Sequence, residues 1–210
     1  MKTVFLFLLL ILTASVNAQN DPQAIKVLDS FSSNASKAPS VSMKFRMINV
    51  NQAESTTDSI NGSIILSKNK YHLNLGDNIV WFNGETSWNY LSAEKEVTIT
   101  RPDKKDHSFQ NHPADIYTMY KSGYKCRLID DSADACTIDL YPEDIKSDLV
   151  RVRLTIQKPA LSLHSLEYRR KDGIVITLHI SDYNLTQKPD QDTFVFKADK
   201  YKGVEINDMR

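Results

Sequence analysis

Residues 78–90 read NIVWFNGETSWNY. Two apolar and aromatic arms flank Asn83-Gly84, a pair that accepts the positive φ angles of a tight hairpin turn. Side chains alternate along a strand, so Trp88 and Tyr90 share one face of the second arm and Glu85, Ser87 and Asn89 take the other. One face is therefore broad, aromatic and oily, and nothing beside it has the look of catalytic machinery. The stretch predicts a sheet that holds something greasy.

The same period of two extends on both sides. Before the hairpin, Val41, Met43, Phe45 and Met47 alternate with Ser42, Lys44 and Arg46, and further strands are expected at 60–67 and 71–75. After it come 97–100, then 124–129, 136–141, 149–156, 161–170, 174–183 and 193–197. Short strands joined by polar turns at this density predict an antiparallel meander of about eleven strands. Two helices interrupt it. Asp21 is a good N-cap and Pro22 suits the first helical position. Ala24, Ile25, Leu28, Phe31 and Ala35 then make one apolar stripe at helical spacing, ending before Pro39. Pro113 opens a shorter helix with Ile116, Met119 and Tyr120 on one side and Gly123 as its stop. Residues 19–210 read as a single domain, α+β but mainly β, without repeats or low-complexity tracts.

Residues 1–18 read as a secretory signal peptide. Lys2 supplies the positive end, residues 4–12 the apolar run, and Val16-Asn17-Ala18 the cleavage region. The run is shorter than the roughly 20 residues a membrane span needs. Cleavage near Ala18 would leave Gln19 first rather than a lipid-modified cysteine, so the chain is expected to be exported and soluble. It carries 26 Lys+Arg against 26 Asp+Glu. Removing the leader takes away Lys2 and leaves one excess negative charge. That balance exerts no long-range pull on nucleic acid.

Signals of chemistry are sparse. The five histidines (His72, His107, His112, His164 and His179) include no pair at metal-ligand spacing. Asp103, Asp106, His107 and His112 come nearest to a cluster, but in a polar stretch that reads as a solvated loop, so no metal is assigned. No phosphate loop, dinucleotide fingerprint or nucleophile elbow is present. Cys126 and Cys136 flank a polar turn at 130–134. A hairpin centred on Asp131 would set them opposite each other, and both a bridge and two buried thiols remain open.

Taken in order, these segments resemble the LolA family of periplasmic carriers for outer-membrane lipoproteins. The likeness rests on the N-terminal amphipathic helix, Ser42-Met43-Lys44-Phe45-Arg46, Gly62-Ser63-Ile64-Ile65-Leu66 and Tyr71-His72-Leu73. It continues in the hairpin whose Gly84 and Trp88 echo an "isdG…lW.Y" signature, and in Asp192-Thr193-Phe194-Val195-Phe196 and Lys202-Gly203-Val204-Glu205-Ile206. It covers nearly the whole mature chain. The Lys- and Tyr-rich wording is closer to a Bacteroidetes branch than to the enterobacterial one.

The resemblance implies an unclosed antiparallel β-barrel covered by a helical lid, with lipoprotein acyl chains bound between sheet and lid. The expected lining is Met43, Phe45, Ile64, Leu66, Tyr71, Leu73, Val80, Phe82, Trp88 and Tyr90. Leu28, Phe31, Ile116, Met119 and Tyr120 would contribute from the lid. The implied partners are acylated lipoproteins, an inner-membrane exporter and an outer-membrane acceptor. The protein would act as a periplasmic monomer without cofactor, metal or reaction.

Many members carry Arg-Pro where this chain has Lys68-Asn69, and that arginine latches the lid. Lys68 offers fewer donors and no planar fork for the same role. Two other readings compete: a lipid- or lipoprotein-sensing protein of the same fold, and a secreted hydrolase with carboxylates on the barrel rim.

Overall fold

The computed structural model describes residues 20–102 and 109–210. The expected signal peptide, and Asp103, Asp106 and His107 of the polar loop, lie outside the described residues. One long helix, α1 (Pro22–Lys37), starts the described chain. The Asp21 carboxylate accepts from the backbone N–H groups of Gln23 and Ala24, which satisfies two of the donors a helix start leaves open.

Twelve strands follow: β1 (Val41–Asn51), β2 (Thr56–Ser67), β3 (Lys70–Leu75), β4 (Asn78–Phe82), β5 (Ser87–Leu91), β6 (Glu96–Thr100), β7 (Tyr124–Asp131), β8 (Ala135–Pro142), β9 (Leu149–Gln157), β10 (Ser162–Arg170), β11 (Ile174–Asn184) and β12 (Glu205–Asp208). They form one sheet in the order β12-β6-β5-β4-β3-β2-β1-β11-β10-β9-β8-β7. Every neighbouring pair is antiparallel except β12, which joins β6 in parallel. The sheet ends at β12 and β7 without their pairing, so the barrel is unclosed. The meander predicted from the period of two is present, with α1 as its lid.

Three local expectations change. Residues 113–121 form two 3-10 turns, Pro113–Tyr117 and Met119–Lys121, instead of a short α-helix. The alternating stretch at 193–197 is no strand: it begins in a 3-10 turn, Gln191–Phe194, and buries Phe194 and Phe196 as side chains laid on the protein. The strand near the C-terminus is β12 instead. Cys126 pairs with Leu140 and Cys136 with Asp131, because the β7–β8 turn is centred after Asp131. The two cysteines are buried, free thiols, and burial beside Glu143 pushes Cys126 up to about 11.

The sheet has two occupied faces. The inner face packs under α1 and the 3-10 turns in one large apolar cluster. On the outer face, Trp81, Val97 and Phe196 form a second cluster with Ile79, Trp88, Tyr90, Tyr201 and Val204, so the segment after β11 covers the outside of β4–β6.

Further along that outer face, Asp139 is only 1 % exposed yet well satisfied. Arg153 donates to both its oxygens, at 2.6 and 2.8 Å, and the Tyr141 hydroxyl donates at 3.0 Å. Arg151 stands 3.5 Å away and also engages Glu167. Burial would push the Asp139 carboxyl up, but the hydrogen bonds from Arg153 and Tyr141 and the arginine charges outweigh it and hold it below the usual carboxylate range.

Candidate functional site

The β1–β2–β3–β4 register brings most of the predicted lining to one place. Met43 lies opposite Ile64, Ile64 opposite Leu73, and Leu73 opposite Val80; Leu66, Tyr71 and Phe82 form the next row. Directly paired residues share a face, so all seven project to the same side. Phe45 joins them beside Gly62. A Cβ at position 62 would stand 2.5 Å from the Phe45 ring, so glycine is what lets that ring lie across β2. Phe82 is half-buried, its ring 5.2 Å from that of Tyr71. Leu28, Phe31, Ile116, Tyr120 and the half-buried Met119 close over this surface in the same cluster.

Two predicted members face the other way. Phe82 pairs with Ser87 and Val80 with Asn89, which turns Trp88 and Tyr90 to the outer face opposite Trp81 and Ile79. The connection runs through Asn83–Thr86 rather than a two-residue turn: the Asn83 side chain accepts from the N–H groups of Glu85 and Thr86, and Gly84 sits at φ +101°. The size of these aromatic rings suggested the lid side. The pairing places them under Phe196 and Tyr201 instead, with Tyr90 and Tyr201 rings 4.6 Å apart.

The space under the lid is a packed core rather than an open trough. Leu28, Phe31, Ile64, Leu73 and Ile116 are each no more than 1 % exposed. Among the described residues, a cavity of about 600 Å³ opens where β1, β2 and β11 meet and includes Phe45 and Gly62, and one of about 410 Å³ opens on the outer face. The first is lined by Arg46, Asn61 and His179, the second by His72, Trp81 and Tyr201. In this closed arrangement the lid's own stripe occupies the apolar surface, and anything greasy that binds there must displace it.

Polar contacts also hold the lid, and sequence reading missed them: at the start of α1 the Asp21 N–H donates to the Cys126 carbonyl at 3.0 Å, the Asn20 side chain accepts from the Cys126 N–H at 2.8 Å, and the Gln23 amide donates to Asp131. The Tyr120 hydroxyl donates to Asp29 of α1 at 2.5 Å. Tyr117 lies against Phe31 with ring centroids 4.9 Å apart, and its hydroxyl is 3.2 Å from that of Tyr183 on β11. Burial, reinforced by Asp29, pushes Tyr120 up to about 12, so its hydroxyl stays a donor throughout the physiological range. Lys68, the expected latch, is exposed at φ 55° in the β2–β3 turn. At that corner the preceding Ser67 hydroxyl donates to the Pro39 carbonyl at 3.0 Å, beside the exit from α1.

A hydrogen bond to a carboxylate contributes roughly 1.5–3 kcal/mol. Tyr120→Phe is therefore expected to lower the melting temperature by several degrees and to increase uptake of a fluorescent hydrophobic probe. Unchanged probe uptake by a folded Tyr120→Phe protein would remove this contact from the lid's restraint.

Catalytic chemistry finds little support in the same geometry. Asp139 and Glu167 both engage Arg151, and Asp139 is also held by Arg153, so both carboxylates are clamped by arginine. A depressed Asp139 is the wrong direction for a general acid. Among the described residues no cluster of His, Cys, Asp and Glu could hold a metal, and no helix is long and apolar enough to cross a membrane.

The family model for the outer membrane lipoprotein carrier protein LolA matches residues 14–170. Among curated proteins none matches. Of solved structures, an uncharacterized conserved protein from Thermus thermophilus is similar with TM-score 0.58 at 11% identity, over 89% of this chain and 99% of that one. A LolA superfamily protein from Nitrosomonas europaea is similar over 82% of this chain and 97% of its own, at 14% identity and TM-score 0.43. LprF from Mycobacterium bovis is similar over 82% of this chain and 100% of its own, at 10% identity and TM-score 0.41.

Proposed function

Since the chain belongs to the LolA family of outer membrane lipoprotein carriers, we propose that it shields lipoprotein acyl chains beneath α1. It would carry them through the periplasm from an inner-membrane exporter to an outer-membrane acceptor. The observation that carries this reading is the largely apolar inner face of β1–β4, covered by the apolar stripe of α1.

The energetics suit a carrier better than a permanent store. Hiding one acyl chain of about 15 methylenes is worth ~12 kcal/mol at roughly 0.8 kcal/mol per methylene. Water therefore opposes release, and a carrier must not capture the full amount. Here the lid stripe of Leu28, Phe31 and Ile116 already buries itself on the sheet. An entering chain replaces one apolar contact by another, so the net gain is small enough for hand-over. The closed core is the unloaded end of that exchange.

The test uses the unmodified protein. Added to spheroplasts of its source organism that are releasing lipoproteins, it should appear in the supernatant in a soluble complex with triacylated protein, identified by mass spectrometry. Recovery with free phospholipid alone, or with a membrane regulator and no lipoprotein, would favour a sensor. Failure to solubilise any lipoprotein would overturn the carrier reading.

A further inference from the structure

The inner face changes chemistry between β4 and β5. On β1–β4 it is apolar, as described above. On β5 and β6 the residues sharing that face are Ser87, Asn89 and Leu91, with Thr100, Thr98 and Glu96 opposite them. Asn78 belongs to the same face, two residues before Val80, while Asn89 stands directly across from Val80. The apolar floor thus ends in a small polar field at its β5 side.

Two atoms in that field are unusual. The side-chain oxygens of Asn78 and Asn89 are buried and have no hydrogen-bond partner among the described residues. A buried acceptor without a donor sacrifices its hydration for nothing, and native proteins keep few of them. Leucine would fill a similar volume at no such cost. The two asparagines are diagonal neighbours across one strand pair, by ordinary sheet geometry roughly 7–8 Å apart. One small head group can reach both.

We infer that Asn78 and Asn89 form the head-group end of the acyl site, accepting hydrogen bonds from an N–H or O–H carried at the carbonyl end of a bound acyl chain. The assignment rests on the carrier reading and adds to it a specificity for the head of the chain. Methylenes carry no donor, so a bare hydrocarbon tail cannot satisfy these oxygens. The amide N–H of an N-acylated residue can satisfy one of them, and a glyceryl group that keeps free hydroxyls can satisfy one for each hydroxyl. Loading then gives at least one unmet acceptor a donor, which favours ligands with an N–H or O–H at the carbonyl end over plain fatty esters.

The experiment compares three palmitoyl ligands by displacement of a fluorescent hydrophobic probe: methyl palmitate, without a donor; N-palmitoylglycine methyl ester, with one amide N–H; and 1-monopalmitoylglycerol, with hydroxyls. Wild-type protein should bind the amide or the glyceride on the order of tenfold more tightly than methyl palmitate, and whichever is preferred identifies the donor. In Asn78→Leu and Asn89→Leu that preference should shrink several-fold while methyl palmitate binding and the melting temperature are kept or raised. A purely structural role predicts the opposite, with lower melting temperature and equal loss for all three ligands, and would overturn the assignment. Equal wild-type affinity for the three would also overturn it. If no palmitoyl ligand displaces the probe from wild-type protein, the carrier reading itself fails and the assignment falls with it.

Discussion

Phe31→Ala is expected to cost about 3–5 kcal/mol of stability, the usual range for deleting a buried aromatic ring. It should also make the protein's stability depend on acyl ligands. Phe31 is the largest side chain that α1 buries beneath itself, 1 % exposed and against the Tyr117 ring. Its removal leaves space lined by apolar groups, which stays dry and suits a hydrocarbon. A ligand that binds only the folded form stabilises it in proportion to the logarithm of its occupancy. In the wild type, part of that gain is spent displacing the lid's own ring. Saturating palmitoyl ligand should therefore raise the melting temperature of Phe31→Ala more than that of the wild type. Equal shifts in both proteins, or none in either, would mean that ligand does not enter beneath α1.

Asp139→Ala should produce a loss of about 3 kcal/mol, because deleting the buried carboxylate strips Arg153 of its two-bond partner and leaves Arg151 with Glu167 alone. Chemical denaturation at neutral pH measures it directly. The pH dependence gives an independent check. Because the folded carboxyl is held below its unfolded value, its contribution is fully present above about 4, the ordinary aspartate value. It is lost as pH falls from there through the lower folded value. Asp139→Asn should flatten that acid limb. A variant with an unchanged acid limb would show that other carboxylates set it.

Much of this molecule could be read locally. Asp21-Pro22 followed by Leu28 and Phe31 specifies a capped, one-sided helix whatever it packs against. The alternation of Met43, Phe45, Ile64, Leu66, Tyr71 and Leu73 names an apolar face before any partner strand is known. The errors arose where a face had to be related to a neighbour. Trp88 and Tyr90 do alternate with Ser87 and Asn89, as expected. Their side of the sheet depends on the register with Trp81 and Ile79 across Asn83–Thr86, and shifting that register by one residue exchanges the two faces. The stretch at 193–197 has a strand's alternation but lies on the outer face, where side-chain packing, not ladder pairing, satisfies Phe194 and Phe196.

Helix, strands and the existence of an oily face were legible in residue order because propensity and periodicity act over a few neighbours. The packed state of the lid, its ties through Tyr120 to Asp29 and Tyr117 to Tyr183, and the polar field at Asn78 and Asn89 were decided by folding alone. The lid's ties join segments distant in the chain, and the Asn78–Asn89 field depends on the register of one hairpin; no local pattern records which groups will meet once the sheet curls beneath α1.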